Sequence, residues 1–328
     1  MILGPGDVAE AEDREKVAAA LARYSLEEAQ DEAGFDEGFR VLDEVFGPRG
    51  ELERREVLDI WFGALRRPPE RWASSVTCRY HLLLARDRDG ALAGVRDCFV
   101  TLDASAGRCV VLLSHTLVLG PHRRSGLASL LRAAPAALAR RGAEEAGLDP
   151  RAVEIVLFAE MEPVAPAEPD TVVRLIAYGR AGFRVIPPEI FPYVQPDFRD
   201  LAALGEQASP LPLIAVIRQV GHEDRAEMPR ERAEACLRHV HAIHACDNRL
   251  EDIAAIQEHT RRALAAFAGE TLPLLPLPRS GAEIQALGPL VRSAVLPLYP
   301  AAWRGAAPLG DPEQERAALR AAWSPVIL

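Results

Sequence analysis

From Tyr80 onward the chain is written in short apolar runs broken by turns. YHLLLARD is followed by Arg88-Asp89-Gly90, ALAGVRDCFVTLD by Ala104 to Gly107, and RCVVLLSHTLVLG closes the set. Apolar runs joined by glycine-containing turns predict a three-stranded antiparallel meander. Ahead of it, residues 7 to 75 read as helical in two stretches, DVAEAEDREKVAAALARYSLEEA and GELERREVLDIWFGALRR, punctuated by Gly47-Pro48 and Pro68-Pro69. After it, Leu127, Leu130, Leu131, Ala134 and Leu138 recur at the i, i+3, i+4 spacing of one helical face, in a helix that Pro135 should kink. Val153 to Ala159 is a continuous apolar run of the buried-strand type. A helix is expected from an Asp170 cap to a Gly182 stop, and FRVI and LPLIAVIRQV supply two further strands.

That order predicts an α/β fold with a central mixed, mostly antiparallel sheet flanked by helices. Past Gly221 the texture becomes helical from Arg230 to about Ala268, then rich in Pro and Leu, then helical again. This places a boundary near residue 221. Residues 1–221 form one domain with a helical lead-in over 1–75, and residues 222–328 form a helical C-terminal extension. A length of 328 residues accommodates two domains at about 150 residues each.

Composition narrows the function. With 49% hydrophobic residues the chain buries a sizeable core, which excludes wholly disordered or collagen-like classes. A net charge of -10 disfavours a protein that grips a phosphate backbone, and suits cationic or amine partners better than nucleic acid. Lys16 is the only lysine among 38 basic residues, read here as coding bias. Cys78, Cys98, Cys109, Cys236 and Cys246 form an odd set without a C-x-x-C pair, which points to a reducing, cytoplasmic setting. The stretch MILGPGDVAEAEDREK lacks the pattern of a signal peptide, and no apolar run approaches the roughly 18 residues of a membrane span.

The segment most informative about chemistry is LVLGPHRRSGLASLL, Leu117 to Leu131, where a strand ends, a short turn follows and a helix begins. Unpaired N–H groups and the positive dipole end at a helix N-terminus favour an anion such as a pyrophosphate, and Gly126 is expected to permit its close approach. The loop is neither a Rossmann fingerprint nor a P-loop. It resembles motif A of the GNAT superfamily of N-acetyltransferases, [QR]-x-x-G-x-[GA], here Arg123, Gly126 and Ala128. Some 55 residues later, IAYGRAGFRVI resembles the Y-x-x-x-G-F ending of motif B, with Tyr178 ahead of Gly182-Phe183. The Val153 to Ala159 strand lies between them, where that family has its fifth strand. The resemblance covers roughly residues 35 to 220. It departs from the pattern at Thr171, where Asn is frequent, at Pro135, and at Ala128, where Gly is commoner.

The resemblance implies acyl transfer from a coenzyme A thioester, acetyl-CoA by default, to an amine in a ternary complex. It implies acyl-CoA contacts from Leu117, Val118, Leu119, His122, Arg123, Arg124, Ser125, Gly126, Leu127 and Ala128. A backbone N–H of Leu117 to Leu119 would polarise the thioester carbonyl, and Tyr178 would be the acid for the leaving thiolate. The residues themselves offer two kinds of base: His115 on the strand entering the loop, whose ordinary pKa suits proton removal near neutrality, and Glu160 or Glu162 after the fifth strand. Either carboxylate could instead hold a cationic substrate, the role given to Glu162, while Glu160 is taken as catalytic with His115 and Tyr178. Arg123 and Arg124 carry the planar fork that suits phosphates. The bland alternatives are a half-buried core tyrosine, a structural strand histidine and solvated loop charges.

Cys236, His239, His241, His244 and Cys246 crowd one helical segment, but at 100° per residue no four of them converge, so no metal is expected. An amphipathic packing helix is the simpler reading. No cysteine lies in the motifs as a ping-pong nucleophile. The functional expectation is a cytoplasmic N-acyltransferase acting on a small amine or polyamine, without nucleic acid or membrane partners and with a homodimer as the default. A non-catalytic acyl-CoA-binding module and a protein N-terminal or ribosomal acetyltransferase are the competing readings.

Overall fold

The computed structural model describes residues 3, 7–65, 70–72, 74–165, 167–197, 210–248, 250–300 and 303. They fall into two compact units. The first comprises the chain up to Phe158 with Gln219–Gly221; the second comprises Ala159–Asp197, the described residues that follow up to Arg218, and those from His222 onward.

The first unit opens with helix α1 (Ala11–Leu21), strand β1 (Ser25–Glu28), helices α2 (Glu32–Phe46) and α3 (Arg55–Leu65), and the short strand β2 (Glu70–Arg71). The helical lead-in therefore holds in part, with β1 as a correction. Ser25-Leu-Glu-Glu has ordinary helix-forming side chains, yet it pairs antiparallel with β3, Ser25 opposite Arg86 and Glu28 opposite Leu83. Tertiary pairing overrides a weak local preference here. α2 begins at Asp31, whose carboxylate accepts the Gly34 N–H at 2.9 Å. Its Phe35, Val41 and Leu42 are buried, and Gly38 lets Leu82 and Leu84 approach so closely that a Cβ there would lie 2.9 Å from both side chains.

The expected meander is present: β3 (Val76–Arg86), β4 (Leu92–Asp103) and β5 (Arg108–Val118) pair antiparallel in sequence order. Most of their residues are buried on both faces, which explains near-continuous apolar runs rather than strict alternation. Helix α4 (Leu127–Glu145) then leads to β6 (Glu154–Met161), whose first residues lie beside β5, Glu154 pairing with Arg108 at 3.1 Å. The helix runs on through Pro135. One lost N–H bond is a small loss where Leu130, Leu131, Ala134 and Leu138 are all buried.

In the second unit, helix α5 (Pro169–Arg180) stops as its sequence demands. Gly182 takes a φ of 79°, its N–H bonds to Gly179 O at 3.1 Å, and Phe183 N–H reaches Tyr178 O at 3.0 Å, the paired bonds of a Schellman ending. The strands are β7 (Arg184–Val185), β8 (Val194–Gln195), β9 (Leu211–Pro212), β10 (Ile214–Gln219) and β11 (Glu227–Pro229). The expected long helix is two, α6 (Arg230–Asp247) and α7 (Leu250–Ala266), followed by β12 (Thr271–Pro273) and β13 (Leu275–Pro276). β7 pairs with β10 on one side and with β13 on the other.

The C-terminal residues thus supply a strand to the sheet that holds β7, and the compact units do not divide at residue 221. Gly179 shows how close this assembly is: a Cβ there would run into the backbone carbonyl of Pro278. Alanine normally favours a helix over glycine by about 1 kcal/mol. Gly179→Ala is expected to do the opposite and destabilise by about 1–3 kcal/mol, because a backbone segment must move. A raised denaturant midpoint would contradict this packing.

Candidate functional site

The loop that carries the motif is prepared by a β-bulge. Arg96 faces Thr116 and Cys98 faces Leu113, so Ser114 and His115 together oppose Asp97. Asp97 is 1% exposed and holds the bulge from inside. Its carboxylate accepts the His115 backbone N–H at 2.5 Å, the Tyr80 hydroxyl at 3.1 Å and His115 Nδ1 at 3.3 Å. The other ring nitrogen, Nε2, lies 2.7 Å from the Glu51 carbonyl. Both ring partners only accept, so the ring donates twice and is an imidazolium. Burial opposes that charge, but Asp97 outweighs it and lifts the His115 pKa to about 9. A histidine already protonated at neutral pH cannot take a proton from an amine, so the expectation of a His115 base gives way to a structural cation.

Beyond the bulge, Leu119 donates its N–H to Ala93 O at 3.0 Å. Alternation directs the Leu117 N–H to the same neighbour, which leaves Val118 as the N–H of these three pointing to the other edge of β5. The following turn places Arg124 at a φ of 61°, an uncommon backbone state for a non-glycine residue. Arg123 and Arg124 are exposed, and among the described residues neither holds an ion pair. His122 is engaged elsewhere, with Nδ1 3.3 Å from the Tyr24 hydroxyl and Nε2 4.0 Å from Asp87. Ser125 closes the turn: its hydroxyl donates to His122 O at 2.6 Å and accepts the Leu127 N–H at 3.3 Å. Gly126 caps α4 at a φ of 85°. Its bare Cα faces α1, since a Cβ would lie 2.8 Å from Lys16 O. The close approach expected at Gly126 is therefore made by a protein backbone, and Leu127 is buried beneath it. Ala128 is half-buried in the first turn.

Tyr178, Glu160 and Glu162 belong to the second unit. Tyr178 is half-buried on α5, its ring edge-on to Phe183 at 5.0 Å. Glu162 is ion-paired with Arg174 of α5, so its charge is already matched by a protein cation. Glu160, near the end of β6, is in a different situation. Its Oε1 accepts from the Tyr193 hydroxyl and lies 2.9 Å from His244 Nε2. Among the described residues its Oε2 has no partner. His241, one turn before His244 on α6, is 4% exposed, and its Nε2 is buried without a hydrogen bond. Burial, aided by His244, pulls the His241 pKa down to about 4, so the ring is neutral. Asp97, Tyr193, His241 and His244 are functional candidates that motif reading missed. Only the histidine crowding on α6 was visible beforehand.

α6 does pack as an amphipathic helix, burying Cys236, Leu237, Val240 and Ile243. Among the described residues no cluster of His, Cys, Asp and Glu is arranged to hold a metal, and no helix is long and apolar enough to cross a membrane. Burial pushes the Cys98 and Cys109 thiols up to about 12, which removes them as thiolate nucleophiles near neutrality.

No protein-family profile matches the chain, and no curated protein matches it by sequence. Several solved structures are similar to it. The glucosamine N-acetyltransferase region of a fungal multi-domain β-N-acetylglucosaminidase matches at 17% identity over 49% of this chain and 17% of that one, with a TM-score of 0.33. An acetyltransferase of the GNAT family from Staphylococcus aureus matches at 10% identity over 60% and 99% of the two chains, with a TM-score of 0.35. A spermidine N-acetyltransferase from Vibrio cholerae, solved with CoA and spermine, matches at 12% identity over 62% and 99%, with a TM-score of 0.33. These are partial likenesses, and the chemistry of this chain rests on its own residues. In the order of its motifs, strands and helices, the chain resembles the GNAT superfamily of N-acetyltransferases.

Proposed function

We propose that this chain is an N-acyltransferase that moves a short acyl group, acetyl by default, from acyl-CoA to a small amine by direct transfer in a ternary complex. The observation that carries the reading is the strand–bulge–loop–helix unit. Asp97 locks the bulge of β5, the Val118 N–H faces away from β4, and two exposed arginines stand at the start of α4 without ion pairs among the described residues. An outward N–H is suited to a developing oxyanion, and two arginine forks are suited to phosphates.

Glu160 takes the proton of the incoming ammonium on Oε2. The neutral nitrogen attacks the thioester carbonyl, the C–N bond forms as the C–S bond breaks, the Tyr178 hydroxyl gives its proton to the departing thiolate, and the nitrogen, cationic once the C–N bond has formed, gives its second proton to the resulting tyrosinate to leave the neutral amide. Raised thiol pKa values at Cys98 and Cys109 are consistent with transfer that needs no covalent enzyme intermediate. The non-catalytic reading has no observation of its own.

Calorimetry with acetyl-CoA, with desulfo-CoA and adenosine diphosphate as controls, tests the cofactor site. Micromolar binding is expected, and Arg123→Ala with Arg124→Ala should weaken it by about tenfold or more, the scale of a lost charged hydrogen bond. Substitution at Gly126 is a poor probe, since it would disturb the packing of α1. Absence of acyl-CoA binding ends the acyl-transfer reading.

A further inference from the structure

Helix α5, which carries Tyr178, is gripped at both ends by one stretch of the C-terminal chain. Beyond its C-terminal end, β13 pairs with β7, Leu275 opposite Val185 and Pro276 opposite Arg184, and Arg184 Nη1 donates to Leu274 O at 3.3 Å. The Pro278 carbonyl lies against the bare Cα of Gly179, and Arg180 Nε donates to Arg279 O at 2.8 Å. The two residues after Tyr178 thus meet the same backbone segment, whose turn is fixed by Glu283 Oε2 accepting the Arg279 N–H at 2.9 Å. The chain then reaches the loop ahead of α5. Val164 N–H donates to Leu290 O at 2.8 Å and Arg292 N–H donates to Val164 O at 2.9 Å, which sets Val164 parallel to Val291 with both side chains fully buried. Between the two grips the chain is a 3₁₀ helix, Gly281–Leu290, longer than such helices usually run. The span accounts for it. With 12 residues α5 is about 18 Å long; ten residues of α-helix would reach only about 15 Å, and the same ten as a 3₁₀ helix reach about 20 Å. A helix as short as α5 is marginal on its own, so its position is set by what holds it.

We propose that residues 274–292 are a brace that couples the two ends of α5 and so positions Tyr178. The acid role of Tyr178 rests on the acyl-transfer reading; the coupling does not. The C-terminal chain, outside the span of the GNAT resemblance, thereby orients a group that must stand within hydrogen-bond reach of a leaving thiolate, where a misplacement of about 1 Å can cost about a hundredfold in rate. Its grip on the far end of α5 is made by main-chain atoms of Leu290 and Arg292, which act on Tyr178 only through the helix.

Val291 has a φ of -73° and a ψ of 136°, the extended state that a following proline requires, and position 292 opens a short helix, where proline is tolerated. Arg292→Pro therefore removes the N–H that binds Val164 O without a steric clash. Arg292→Ala trims the exposed side chain but keeps that N–H, and is its control. The test uses the full chain labelled with 3-fluorotyrosine, the Tyr178 fluorine signal being identified by its loss in Tyr178→Phe. That signal is expected to shift or broaden in Arg292→Pro and to stay in place in Arg292→Ala, with Tyr24 and Tyr80 of the first unit unmoved in both. In acetyl transfer to n-butylamine, Arg292→Pro should lower kcat about tenfold, with KM for the amine and Kd for acetyl-CoA within about twofold of the parent. Hydrogen exchange of the parent needs no variant: the Val164 and Arg292 amides should open together with those of α5 in one cooperative step. A Tyr178 signal indifferent to Arg292→Pro, or Val164 and Arg292 amides that exchange independently of α5, overturns the brace whether or not the protein transfers acetyl. A responding Tyr178 with unchanged kcat overturns the positioning role. Coupled exchange and a responding Tyr178 in a protein without acetyl transfer uphold the brace and overturn only the acyl-transfer reading.

Discussion

Glu160→Gln is expected to lower acetyl transfer to a primary amine by about 10²–10⁴-fold, the range lost when a positioned general base is removed. Glutamine keeps the shape of the side chain and an oxygen for the Tyr193 hydroxyl, so the fold of the second unit should survive. What it lacks is a site for the proton. Acetyl-CoA affinity should stay within twofold of the parent, since the loop from Arg123 to Ala128 is untouched. Steady-state kinetics beside calorimetry separates the two effects. Unchanged turnover would remove Glu160 from the reaction. The base could not then revert to His115, whose ring is already charged at neutral pH. An exposed group or solvent would have to serve instead, and the amine would have to bind elsewhere.

Asp97→Asn should be the most destabilising single change in the first unit, by about 3–5 kcal/mol, because it leaves the His115 imidazolium buried beside a neutral amide. The melting temperature is expected to fall by roughly 10 °C. The parent protein carries the same information in its pH dependence. The folded pKa of His115, about 9, lies above the ordinary value of 6.5. Its contribution is therefore complete below about pH 6.5 and is lost as the pH rises toward 9. Asp97→Asn should flatten that part of the stability profile. A parent profile that rises between pH 6.5 and 9 would contradict the imidazolium assignment. Because Asp97 also bonds the bulge N–H, the variant should loosen the strand that presents Val118, and acetyl-CoA binding should weaken along with stability.

Much of the architecture was legible in one dimension because its causes are local. Apolar runs between glycine turns specified the β3–β4–β5 meander. The spacing of Leu127, Leu130, Leu131 and Leu138 specified α4, and Gly182 with its left-handed φ terminated α5 where expected. The arginine-bearing turn, Tyr178 and Glu160 were visible for the same reason, as short motifs anchored to those elements. What stayed hidden depends on partners far apart along the chain. β1 is a strand only because β3 offers it an edge, and its four residues have no strand preference of their own strong enough to announce it. Asp97 meets the His115 ring across 18 positions, and Glu160 meets His244 across 84. No periodicity encodes such a pairing. The packing of Gly126 stayed hidden for the same reason, since nothing in Arg-Arg-Ser-Gly tells that Lys16 of a distant helix lies against it. Sequence determined which elements form and where the arginine-bearing turn stands. The tertiary structure decided which histidine lies against a buried carboxylate and that C-terminal residues pair into the sheet of β7, because charge and burial are properties of neighbours in space.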